Sequence, residues 1–221
     1  MWVTSHPQDK RKKVFSMRKT LVMLAALAMM LGGAVAAAAP GPSVTISLSR
    51  PSVVYGGSVT LSGKVSNHKA GETVDVLAEA FGASSFSSLG TVSTTAGGKW
   101  TDVVKPTIQT AYRATWMGET SSTVTVKVRP LITLTLIDLA TGRFSTKVTA
   151  ARSFAGKFVL VQRLSSTGVA TLKKVRLDAG SSATFRVRLH KGRSRLRVVM
   201  PTSQTAPGYI TGKSKVLTVS R

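Results

Sequence analysis

From residue 44 onward, apolar and polar residues alternate in short runs, the period of a strand with one buried face. TISLS (45–49) opens the series, and SVTLSGKV (58–65), ETVDVLAE (72–79), KWTDVV (99–104), AYRATW (111–116) and STVTVKV (122–128) continue it. Between them lie PSVVYGG, NHKAG, TTAGG and KPTIQT, whose Gly, Pro and Asn residues have the chemistry of turns. Short strands at intervals of about 8 to 15 residues, with no long stretch of helical period, predict an all-β sandwich. One run leaves its parity open: Trp100 and Val103 in KWTDVV cannot both face inward without a bulge.

After Arg129-Pro130 the pattern restarts. ITLTL (132–136) corresponds to TISLS, FSTKVTA (144–150) to SVTLSGKV, AGKFVLVQR (155–163) to AGETVDVLA (70–78), RLRVVM (195–200) to AYRATW, and KVLTV (215–219) to the last strand. Gly71 and Gly156 lie 85 positions apart, and Tyr112 and Leu196 lie 84 apart. An offset that recurs across several strands is an internal repeat. The expectation is two tandem sandwiches, residues 40–129 and 130–221, joined at KVRPLIT with almost no linker.

VVYGGSVTLSGKV, followed by AGETVDV, GGKW, TAYRATW and a closing TVTVKVRP, resembles the bacterial Ig-like repeats of exported and surface proteins of actinobacteria. The resemblance covers most of residues 44–129 and, more weakly, 131–219. It implies tandem immunoglobulin-like β-sandwiches and an extracellular life, and it carries no catalytic residue. The second copy departs from it, lacking the YGG turn and having Leu196 where the first has Tyr112. In such a fold a disulfide often joins the second and sixth strands. Here those strands offer Val59, Leu61 and Ala114, or Phe144, Val148 and Val198, so apolar packing has to replace the bridge. Trp100, Tyr112 and Trp116 are expected in the core of the first copy. FRVRLHKGRSRLRVV (185–199) becomes the fifth and sixth strands of the second copy, with Phe185, Val187, Leu189, Leu196 and Val198 inward. Those two strands ordinarily belong to opposite sheets, so Arg186 and Arg188 should point away from Arg195 and Arg197.

Residues 1–39 are of another kind. KRKKVFSMRK (10–19) carries six positive charges and TLVMLAALAMMLGGAVAAAA (20–39) none. A basic stretch, an apolar stretch and a run of small residues read as a secretory signal peptide, with Met17 as a candidate true start. An uncleaved anchor is the alternative, because about twenty apolar residues span a bilayer. Gly32-Gly33 and the alanine run favour cleavage. On either reading everything after residue 40 is exported, so the expected localisation is secreted or extracellular, including the cell surface.

The chain has no cysteine, which removes disulfides, thiolate metal sites and thiol nucleophiles together. It contains neither GxSxG nor GxxxxGK[ST]. Neither His68 nor His190 belongs to a motif with a nucleophile, and the acids after the leader (Glu72, Asp75, Glu79, Asp102, Glu119, Asp138 and Asp178) follow no calcium-loop spacing. No catalytic residue, metal or cofactor is therefore expected. Charge is more telling: residues 40–129 hold eight Lys and Arg against five acids, whereas residues 130–221 hold seventeen against two. A field of that size attracts polyanions, and Arg176, Arg186, Arg188, Arg195 and Arg197 are the candidate anion contacts. Envelope polyanions or surface proteins are the candidate partners. Specific nucleic-acid binding is not expected, because most of the second copy's aromatics (Phe144, Phe154, Phe158, Phe185, Tyr209) occupy apolar strand positions and do not interleave with the arginines. These features point to a secreted, non-enzymatic interaction module. A structural spacer is the first alternative, and a small extracellular enzyme or inhibitor the second.

Overall fold

The alternating runs pair as strands in a computed structural model that describes residues 41–221; the leader lies outside the described residues. The first half contains β1 (Ser47–Leu48), β2 (Ser52–Val54), β3 (Val59–Lys64), β4 (Thr73–Ala80), β5 (Ser87–Ser93), β6 (Lys99–Val104), β7 (Thr110–Trp116), β8 (Glu119–Thr120) and β9 (Val124–Arg129). They form two sheets, β1-β3-β6 and β2-β9-β7-β4-β5, with β8 added to β7. The second half contains β10 (Leu131–Asp138), β11 (Arg143–Thr149), β12 (Phe158–Ser165), β13 (Gly168–Arg176), β14 (Ser182–Arg186), β15 (Arg193–Met200), a one-turn helix α1 (Thr202–Thr205), β16 (Gly212–Lys213) and β17 (Leu217–Ser220). Its sheets are β10-β11-β14 and β13-β12-β15, the latter extended by β16 and β17, which both pair with β15. In each half the first, second and fifth principal strands form one sheet, and the third, sixth and seventh lie in the other. That is the immunoglobulin-like arrangement, present twice.

Inward positions fill the two cores. Leu61 and Ala114 are fully buried where a disulfide could have stood, as are Phe144 and Val198 in the second half. Trp100, Tyr112 and Trp116 are all buried in the first core. The open parity at KWTDVV resolves without a bulge: β6 pairs regularly with β3, Trp100 and Val104 are buried, and Val103 is 61% exposed. Half-buried Asp102 therefore takes the inward position between them.

The halves differ where the chain first changes sheet. After β1 it leaves the β3 edge at Arg50-Pro51 and enters the opposite sheet as β2, parallel to β9 with Val53 opposite Val128. PSVVYGG is thus a strand followed by a turn, rather than a turn throughout. Gly56, at φ +85°, and the Gly57 N–H bonded to the Val54 carbonyl form that turn. The second half has neither the proline nor the YGG. Its β10 runs uninterrupted along β11, and no strand takes the place of β2 beside β17.

Besides the short strands β2, β8 and β16, two long strands have no counterpart in the hydrophobic pattern. β5 and β13 form the edges beyond β4 and β12, and nearly all of their side chains are exposed; Val175 is the one buried exception. Without a buried face they show no alternation.

One side-chain device recurs in both halves. The Ser121 hydroxyl accepts the Ala114 N–H and donates to the Ser122 carbonyl; Ser214 does the same with the Val198 N–H and the Lys215 carbonyl. Ala114 and Val198 are 84 residues apart, but Ser121 and Ser214 are 93 apart. The nine additional residues lie between β15 and β17, and this longer connection packs on the first half. Tyr209 Oη donates to the Thr107 carbonyl at 2.7 Å and accepts the Ala151 N–H at 3.0 Å. The Gln109 N–H donates to the Gly208 carbonyl, and the Ile210 N–H to that of Val128. Tyr209 also meets Phe154 edge to face, with the Arg152 guanidinium over both rings.

Candidate anion-contact surfaces

Register in the second half distributes the five candidate arginines. Val159 and Val161 of β12 face the core, so Phe158, Leu160, Gln162 and Leu164 face outward. Opposite these stand Arg176, Lys174, Arg197 and Arg195 respectively. Arg176, Arg195 and Arg197 therefore share the outer face of the larger sheet, joined by Lys174. Arg186 pairs with Arg143 on the outer face of the smaller sheet, and Arg188 follows it at the same parity beyond the strand's end. The arginines of FRVRLHKGRSRLRVV are thus divided between opposite sheets, because β14 belongs to one and β15 to the other.

The larger outer face is not a row of free cations. Arg197 Nε donates to Gln162 Oε1 at 2.9 Å, and Lys174 Nζ lies 3.8 Å from the centre of the Phe158 ring. Phe158 is the one aromatic of the second half that does not belong to the core; Phe144, Phe154, Phe185 and Tyr209 are buried.

Both acids of this half are engaged in local turns, and only Asp138 lies close enough to a candidate arginine, Arg186, to offset part of its charge. Asp138 Oδ2 accepts the Thr141 hydroxyl at 2.6 Å, and Oδ1 accepts the Ala140 and Thr141 N–H groups. The Thr141 hydroxyl, those backbone donors and the charge of Arg186 hold the Asp138 carboxyl below its ordinary range. Asp178 Oδ1 accepts the N–H groups of Gly180 and Ser182. Both carboxylates fold turns, which uses their lone pairs locally.

Two cations that the sequence did not single out lie beside Arg186 and Arg188. Arg163 continues the inward parity of Val159 and Val161 and stands opposite buried Leu196; Lys173 stands opposite Val161. Only Arg163 was legible in principle, since VLVQR places a cation where alternation demands an apolar residue; Lys173 lies in β13, which shows no alternation. The first half presents a different cavity, of about 470 Å³, lined by Asp102, Lys105 and Tyr112 among others. Burial, with the Asp102 charge adding to it, pushes the Tyr112 hydroxyl up from its ordinary value, and Asp102 Oδ1 accepts its neighbour's N–H. Among the described residues no group of three or more His, Asp or Glu gathers as a metal site, and no helix is long and apolar enough to cross a membrane.

The fold places the chain among tandem immunoglobulin-like β-sandwich proteins. No family model and no curated protein matches it. Solved structures similar to it include a tetra-tandem repeat in the extending region of a large adhesion protein (13% identity, TM-score 0.33), covering 81% of this chain and 49% of that one. A marsupial T cell receptor matches at 11% identity and TM-score 0.33, covering 82% of this chain and 100% of that one. The chain spans about half the length of the adhesion-protein repeat. Likeness at this level carries no argument about function.

Proposed function

We propose that this chain is an exported, non-enzymatic interaction module of the cell envelope that contacts polyanions through its second sandwich. The observation that carries the reading is the disposition of charge. Seventeen cations face two acids in residues 130–221, and both acids are committed to turns. A folded domain pays for such self-repulsion in stability, and a counter-charged partner relieves it. Anionic polymers of an envelope have the required chemistry and repeat. The leader supports export, and the sandwich architecture supports presentation of a surface.

Retention on isolated envelope at physiological salt tests this. The wild-type chain is expected to stay bound where exposed charges at long range are screened, and reversing Arg186, Arg188, Arg195 and Arg197 to Glu releases it. Equal retention of both proteins would sink the polyanion reading. Export with cleavage predicts a mature mass that begins within the alanine run before Pro40; an exported form that keeps the 20–39 segment would establish the anchor instead.

The docked connection between β15 and β17 favours a second reading, a spacer that holds what lies on either side of it at a fixed distance. Loss of envelope binding without loss of any presented partner would select it.

A further inference from the structure

The smaller sheet of the second half ends at β14 and the larger one at β13, and these two edge strands lie near each other. Lys173 has inward parity yet is exposed. Leu172 is an extra residue in β13: Val161 pairs with Lys173 and Gln162 with Thr171, and this bulge turns the strand beside the cleft. Arg163 reaches the same place from β12. Its Nη2 donates to the Arg188 carbonyl at 2.9 Å, while its Nε is buried with no hydrogen-bond partner among the described residues. Arg186, Arg188 and His190 come from β14 and the segment after it. With Leu172 and Val187 these groups line a cleft of about 250 Å³, and no carboxylate lines it.

We propose that this cleft binds a phosphate group of a phosphodiester polymer. The inference rests on the polyanion reading and deepens it by naming the site. Guanidinium forks match the paired oxygens of a phosphate, and an ammonium adds a movable point charge. Arg163, Lys173, Arg186 and Arg188 converge from β12, β13, β14 and the segment after it on one concavity. The larger outer face lacks this convergence, because Arg197 is tied to Gln162 and Lys174 covers Phe158.

Two double variants of the full chain, each two charges lighter, separate a site from a field: Lys173→Gln with Arg188→Gln in the cleft, and Arg195→Gln with Arg197→Gln on the outer face. Lys173 and Arg188 are exposed, and the bond from Arg163 goes to the backbone of Arg188, so the cleft pair leaves the fold intact. At physiological salt, the cleft variant is expected to lose about tenfold or more in affinity for a poly(glycerol phosphate) chain, and the outer-face variant less than about threefold. Equal losses would overturn the cleft and leave the polyanion reading standing. Tighter binding of a sulfated polysaccharide, with the same dependence on the cleft, would overturn the assignment to phosphate. If the wild-type chain binds no polyanion, the broader reading falls. The cleft then stands only if inorganic phosphate shifts the Arg163 Nε–H resonance in NMR, and an unmoved resonance overturns it.

Discussion

At Gly63 the absence of a side chain is what lets the first core close. A Cβ there would overlap the Thr45 carbonyl oxygen and lie 2.6 Å from Trp100 Nε1, and both neighbours are fixed, one as backbone and the other as a buried indole. Gly63→Ala is expected to cost about 3 kcal/mol by overpacking, read as a lower midpoint in chemical denaturation. An unchanged midpoint would show that Trp100 has room to move. Trp116 has a polar role as well as a packing one. Its indole N–H donates to Glu72 Oε2 at 3.0 Å, and the Asn67 amide donates to Oε1. The indole bond first, then the amide, holds the Glu72 carboxyl below its ordinary 4.5. A carboxyl lowered on folding stabilises the protein above its unfolded pKa, and that contribution is lost as pH falls through the folded value. The Trp116 Nε1–H resonance should therefore inflect below pH 4.5, and Glu72→Gln should abolish the inflection. An inflection that persists in the variant would place the titrating group elsewhere.

Among the elements, the serine that ties the sixth strand to the start of the seventh is the clearest shared device. Ser121→Ala and Ser214→Ala each strand a backbone N–H, of Ala114 or Val198, in a buried setting. Each is expected to cost about 1–3 kcal/mol, and the costs should be alike, because the geometry is the same in both halves. Calorimetry of the two single variants checks this, and a large inequality would mean that only one half governs unfolding. The edge strands β5 and β13 teach the opposite lesson about legibility. A seven- or nine-residue strand in water has no reason to alternate, so SSLGTVS and GVATLKKVR read as connection although they extend their sheets. β2 was hidden differently: it has only three residues, flanked by Pro51 and a glycine turn.

On the scale of the whole molecule, Tyr209 decides how the halves behave together. Tyr209→Phe removes the bond to the Thr107 carbonyl and leaves the Ala151 N–H unpartnered, at a cost of about 1–3 kcal/mol. The wild-type chain is expected to unfold in one transition. The variant should show two, with tryptophan fluorescence, which reports only Trp100 and Trp116 of the first half once Trp2 of the leader is replaced by Phe, separating from far-ultraviolet circular dichroism. Coincident curves in the variant would show that the remaining backbone bonds at Gly208 and Ile210 suffice.

Alternation along the chain by itself determined the principal strands, their inward residues and the repetition near 85 positions, because a half-buried strand writes its buried face directly into its sequence. It also determined the charge asymmetry, which depends on composition alone. Tertiary structure decided what depends on neighbours distant in the chain. It put β2 across the sheets and brought Arg163 and Lys173 to Arg186 and Arg188. It also turned the nine added residues after β15 into a contact with the first half. None of these leaves a local period, since each is fixed by which strand edges meet after the cores have closed.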